Sequence, residues 1–257
     1  MSSRPRLVLR LMALGFIATM GAGMNAAAAP FGFGGDGWKE EVLLHDGAKI
    51  IVDRMVERGG RREVGQQPPI KEQRLSFDMP GSKQRVVWED PFSQDIGTAN
   101  FLPMLLDIHD AVAYLVVYPM GCLSYNKWGR PNPPYVVFRH DQKQWKRIAL
   151  KDLPVDIKTP NLIFSSPDDE AKNEGQAIVS AEKIRSFYAG YRQPEFRSIL
   201  REAIVNAGGE GCEKMVSDGK GGWLGIDWFT SRPDLQACLK VCTQQRIGSD
   251  SCPCKNL

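Results

Sequence analysis

The chain has 257 residues, of which 42% are apolar and 25% charged, with 33 lysines and arginines against 30 aspartates and glutamates. Arg4, Arg6 and Arg10 carry the whole excess, so a chain relieved of its first residues balances 30 against 30. A balanced surface has no electrostatic footprint for nucleic acid or an anionic membrane, and neither is expected as a partner.

Residues 1–28 read as a secretory signal peptide. The three arginines form a positive start, Leu11 to Met24 an uncharged apolar run, and Ala26 to Ala29 the small residues of a cleavage site near Ala28. That run is shorter than the roughly 20 residues a membrane-spanning helix needs. No later run approaches that length, so a periplasmic or secreted mature chain without a transmembrane segment is expected. About 229 residues remain, enough for one domain with a sizeable core and an appendage.

From Trp38 to about Phe164 the pattern is β, and four hairpins are predicted. Their turns lie at His45-Asp46-Gly47, Pro80-Gly81, His109-Asp110 and His140-Asp141, each between apolar or alternating runs. The polar, Gly- and Pro-marked stretch RGGRREVGQQPPIKEQ reads as a long surface loop. After the fourth hairpin, KDLPVDIKTPNLIFSSPDD is expected to hold one short strand and end in turn residues. Roughly 130 β residues are too few for a propeller of four blades of about 40 residues. An antiparallel meander forming a sandwich or partly closed barrel is the economical alternative.

Two helices follow. Ser180 is the predicted N-cap of the first, with Ile184, Phe187 and Tyr188 as its apolar face. Pro194 opens the second, with Phe196, Ile199, Leu200 and Ile204 at helical spacing and Gly208-Gly209 as its stop. The resulting domain, residues 38–209, is mainly β, α+β overall. Residues 210–257 form a Cys-rich segment with a Gly-rich hairpin at 219–225 and a short helix over 232–245.

Six cysteines in an exported chain point to disulfides. Six thiols allow fifteen pairings. The expected set joins Cys238 to Cys254 and Cys242 to Cys252 as a nested pair, leaving Cys122 for Cys212. Zinc on the four tail sulfurs is the alternative, but C-x3-C with C-P-C departs from ribbon and finger spacings.

Between the third and fourth hairpins lies YPMGCLSYNKWGRPNPPYVVF, read as a rigid turn-rich loop. Tyr125, Trp128 and Tyr135 offer flat apolar faces, and Asn126 and Arg130 polar anchors, as a shallow site for a sugar or peptide requires. Trp128 has a second reading as a core plug, because Gly129-Arg130-Pro131 is a tight turn. Each histidine precedes an aspartate. Three such tips at one sheet end would suit a metal-dependent or hydrolytic enzyme, but Asp is equally a turn residue. Glu40-Glu41 and Asp168-Asp169-Glu170 read as solvated faces and turns. No G-x-S-x-G, H-E-x-x-H or C-x-x-C is present, and no catalytic residue, metal ligand or cofactor is assigned.

The stretches MGCLSYNKWGRPNPPYVVF, WKEEVLLHDGAKIIV, IKTPNLIFSSPDD and QPEFRSILRE together resemble a family of exported proteobacterial proteins with no assigned activity. The resemblance spans roughly residues 38–209 and implies export and an intact domain. The chain is thus expected to be a non-enzymatic binding or envelope-associated accessory protein, taking a small ligand or an envelope partner.

Overall fold

The computed structural model describes residues 35–60, 62, 64–82, 84–141, 143–205 and 211–256. The expected leader, its expected cleavage site and the expected Gly208-Gly209 stop lie outside the described residues. All four expected hairpins are present. Strands β1 (Asp36–Leu43), β2 (Lys49–Arg58), β3 (Ile70–Asp78) and β4 (Arg85–Asp90) form one antiparallel meander. Strands β5 (Phe101–His109), β6 (Val112–Pro119), β7 (Val136–His140) and β8 (Trp145–Ile148) form a second. The two face each other as an open sandwich, and neither closes into a barrel.

Period-two alternation decides what each strand buries. On the first sheet Glu40, Val52, Phe77 and Val86 align across the strands, and Trp38, Arg54, Leu75 and Trp88 form the next row. These rows meet Phe101, Leu106, Leu115, Val117 and Val136 of the second sheet in one apolar core. The second sheet is buried on its other face as well, which is why β6 reads as an unbroken apolar run. There Met104, Val116, Tyr135 and Val137 pack against Ile157, Ile163, Ile184 and Ile199. A register shift between Pro103 and Leu105 lets Phe101 and Leu106 share the inner face despite their odd spacing.

Helix α1 (Gly121–Lys127) occupies what the sequence suggested was a turn-rich loop, and α2 (Pro167–Glu174) what it suggested were turns. The segment after β8 holds no strand. It makes a single 3-10 turn over Leu150–Asp152. Helix α3 (Ala181–Ala189) starts where expected, its Ser180 hydroxyl accepting from the Lys183 N–H at 3.2 Å. Helix α4 (Pro194–Arg197) is far shorter than its apolar spacing implied. Ser198 is extended, and the Ile199 N–H goes to the Lys158 carbonyl at 2.8 Å. The apolar side chains there are buried by docking an extended segment, whose Arg201 guanidinium binds the carbonyls of Leu150, Leu153, Pro154 and Ile157.

The C-terminal segment contains the hairpin β9 (Met215–Ser217) and β10 (Trp223–Gly225), then α5 (Asp227–Thr230) and α6 (Leu235–Gln244). It has a core of its own, with Phe229, Val241 and Ile247 around Cys238, Cys242, Cys252 and Cys254. All three expected pairs are bonded: Cys122–Cys212, Cys238–Cys254 and Cys242–Cys252. Among the described residues no helix is long and apolar enough to cross a membrane.

Candidate functional site

The central stretch divides its side chains among three tasks. Asn126, on α1, faces the tail. Its amide nitrogen donates to the carbonyls of Cys122 and Glu213, both at 2.9 Å, and its oxygen accepts the Met215 N–H at 2.9 Å. Arg130 stacks over the Tyr125 ring at 4.9 Å and donates to the Cys212 carbonyl at 3.0 Å and the Glu213 carbonyl at 3.2 Å. With the Cys122–Cys212 disulfide these three residues form a clamp that fixes the start of the tail.

Trp128 turns the other way. Its indole lies 4.6 Å from the Phe101 ring and 6.1 Å from Phe138, and its N–H donates to the Asn100 side-chain oxygen at 3.1 Å. It is half-buried, plugging the open end of the sandwich. Tyr135 faces the helical layer and donates to the Glu195 carbonyl at 2.7 Å. Burial raises its hydroxyl well above the ordinary tyrosine range. The structure thus brings Tyr125, Asn126 and Arg130 together and separates Trp128 and Tyr135 from them.

Next to this stretch runs an open groove of about 530 Å³, between the Pro131–Tyr135 bend and the β8 margin. Pro131, Pro133, Tyr135, Ile148 and Leu150 supply apolar wall, and Arg147 is the charged side chain on it. The walls are held from behind. Asn132 pairs with the Ile204 backbone through both amide atoms, at 3.0 and 2.8 Å, and Asn132–Pro133 is a cis peptide. Arg147 lies 5.5 Å over the Trp128 ring and donates to the Trp128 carbonyl at 3.2 Å.

The His-Asp tips form a second constellation. Hairpin alternation puts the β1–β2, β5–β6 and β7–β8 turns at one end of the sandwich, and His45 and His109 stack there with centroids 5.2 Å apart. His45 takes its carboxylate from Asp107 on β5, not from its neighbour. Nδ1 lies 2.7 Å from Asp107 Oδ1, and the His45 backbone N–H donates to Oδ2 at 3.0 Å. Asp46 and Asp141 perform turn chemistry, accepting the Ala48 and Gln144 N–H groups at 2.8 and 3.0 Å. His140 sits against Trp145. Among the described residues the one cluster of at least three potential metal donors is the sulfurs of Cys242, Cys252 and Cys254, all already in disulfides.

Asp107 is 3% exposed, and burial raises its carboxyl. The Asp107 hydrogen bond raises His45 in turn, with Asp46 and Asp156 adding to it. A folded-state value above the ordinary imidazole one contributes stability that is complete below about pH 6.5 and fades as the pH climbs through the folded value. The gap in urea midpoint between the native chain and His45→Gln is therefore expected to be wider at pH 6 than at pH 8. An equal gap at both would show that the cross-sheet pair does not titrate with folding.

Two carboxylates that the sequence pattern placed on solvated faces are buried. Glu40 is 0% exposed and faces Arg54 at 3.1 Å. Asp168 is 6% exposed and takes two hydrogen bonds from Arg58, at 2.6 and 2.5 Å. Alternation with Trp38 and Val42 was the sequence signal for Glu40. For Asp107 it was a carboxylate inside the apolar run FLPMLLDIH. No family model, curated protein or solved structure matches the chain.

Proposed function

We propose that the chain is an exported, non-enzymatic binding protein of the cell envelope and that it holds its ligand in the groove beside β8. The observation that carries this reading is the groove itself. Its roughly 530 Å³ falls within the range of about 300–1,000 Å³ typical of ligand sites. The walls are preformed, part apolar and part polar, and marked by one guanidinium, so the groove favours a ligand that joins an apolar part to an anionic or hydrogen-bond-accepting group. Three bonded cysteine pairs and the leader-like first 28 residues support an oxidising compartment.

An anionic apolar dye, anilinonaphthalene sulfonate, tests the site directly. It is expected to bind with one-to-one stoichiometry, and Ala149→Trp, at an exposed position on the groove wall, to remove that binding at an unchanged melting temperature. Equal dye binding by the variant would place the site elsewhere. The His45–Asp107 pair favours a second reading, a hydrolytic enzyme with His45 as general base, because a buried carboxylate on Nδ1 fixes the imidazole for proton transfer. We rank it lower, since the same pair already serves as a latch between the sheets.

A further inference from the structure

We infer that the ligand is an extended acidic polypeptide that adds to β8 as a fifth strand of the second sheet, an assignment that rests on the groove being the binding site. The sandwich has four outer margins, those of β1, β4, β5 and β8. The margin of β1 is covered by Val179, whose carbonyl accepts from the Glu41 N–H and whose N–H donates to the Lys39 carbonyl. Asn161 and Leu162 cover β5, with the Asn161 side chain bonding both the N–H and the carbonyl of Leu106. On β4 the Val87 carbonyl accepts the Trp145 indole N–H at 2.7 Å. That leaves β8.

The hydrogen-bond alternation of an antiparallel pair says which β8 groups are open. The Asp141 N–H donates to the Gln144 carbonyl, so the pairs two and four residues further on, Arg139–Lys146 and Val137–Ile148, are the bonded ones. Trp145 and Arg147 then direct their N–H and C=O outward, and among the described residues these groups have no backbone partner. Strand-shaped ligands are captured by such a row of main-chain groups, with alternate side chains read by the adjoining surface. The groove meets this row at its Arg147 end, where Ile148 and Leu150 offer apolar seats to a ligand.

Charge selects the occupant. Arg139, Lys146, Arg147 and Lys151 are all exposed around the strand, against Asp141, which is paired with Lys146, and Asp152. A second copy of β8 would bring Lys146 and Arg147 against their own counterparts, an arrangement that disfavours self-pairing. A peptide alternating apolar and acidic residues matches both the walls and the rim.

The probe is acetyl-Glu-Val-Glu-Val-Glu-Val-Glu-amide at neutral pH, titrated into the isotope-labelled chain and read at the Trp145 and Arg147 amides. Saturable shifts and slowed hydrogen exchange at those two amides are expected. A lysine-for-glutamate peptide should bind at least tenfold more weakly, and a peptide N-methylated on every residue should not bind. Arg147→Pro removes one outward N–H and should weaken binding at least tenfold beyond Arg147→Ala, which removes only the side chain. Equal binding of the N-methylated peptide to the native chain would overturn the inference even if the proline variant does not fold. Equal binding of the lysine peptide would overturn it too, as would a dimer that Arg147→Pro dissolves. If Ala149→Trp blocks the dye but peptide binding ignores N-methylation, the groove remains a site and the strand addition falls. If that variant leaves dye binding intact, the groove reading itself falls.

Discussion

Arg54→Leu is expected to lower the unfolding free energy by roughly 3–5 kcal/mol, the usual result of removing one partner of a buried ion pair. For a domain of this size that corresponds to a melting temperature lower by about 10 °C. Glu40 is fully buried on the inner face of the first sheet. Its carboxylate accepts from the Trp38 indole at 2.7 Å, from Arg54 at 3.1 Å and from the Ile163 N–H at 3.0 Å. Burial raises its carboxyl, and Arg54 is the strongest of the groups opposing that. Leucine at position 54 would strand the carboxylate next to Val52 and Val42, with two hydrogen bonds and no countercharge. Arg54 also lies 5.3 Å over the Trp38 ring, so its loss loosens a stacked contact as well. The pair Glu40→Leu/Arg54→Leu should regain most of the deficit, because apolar side chains of similar volume need no partner there. A chemical-denaturation cycle over the four proteins decides the matter. A single-variant cost below about 1 kcal/mol would mean that water reaches the pair.

The second large effect is expected in the tail. Reduction of the native protein should release residues 215–254 from protection against hydrogen exchange and expose Lys214, Lys240 and Arg246 to trypsin, while residues 36–140 stay protected. The tail core is a handful of side chains around four cysteines, well below what a segment of its length needs to fold unaided. Cys238–Cys254 closes a separation of 16 residues, and a loop of about that size contributes on the order of 3 kcal/mol by limiting the unfolded chain. The sandwich contributes only Cys122 to any disulfide, and its core is built from the facing rows of two complete sheets. Loss of protection across both regions together would show that tail and sandwich fold as one unit.

The fold was legible where local chemistry decides it. His45-Asp46-Gly47, Pro80-Gly81, His109-Asp110 and His140-Asp141 mark turns by themselves, and the strands between them follow. The nested tail disulfides were legible for a similar reason, since Cys238 and Cys242 share one face of α6 and a short return brings the other two thiols back. What was hidden depends on packing between distant segments. The apolar spacing of Phe196, Ile199 and Leu200 fits a helix, but the Lys158 carbonyl and the Tyr135 hydroxyl capture the backbone in extended form. His45 carries an adjacent aspartate, yet its partner is 62 residues away on another sheet. The groove is assembled from Pro131–Tyr135 and from β8, and neither segment has a signal for it alone.

The placement of the cysteines along the strand order has a consequence for how the chain acquires its crosslinks. Each sheet is one consecutive run, so a chain emerging from its N-terminus completes the first sheet before any thiol appears. Cys122 then arrives with no competitor, and the next thiol to follow it, 90 residues later, is its own partner Cys212. Oxidation in order of appearance therefore yields the native first bond without proofreading. Only the last four thiols, within 17 residues of one another, have a choice to make, and it is made on α6, which presents two of them on one face.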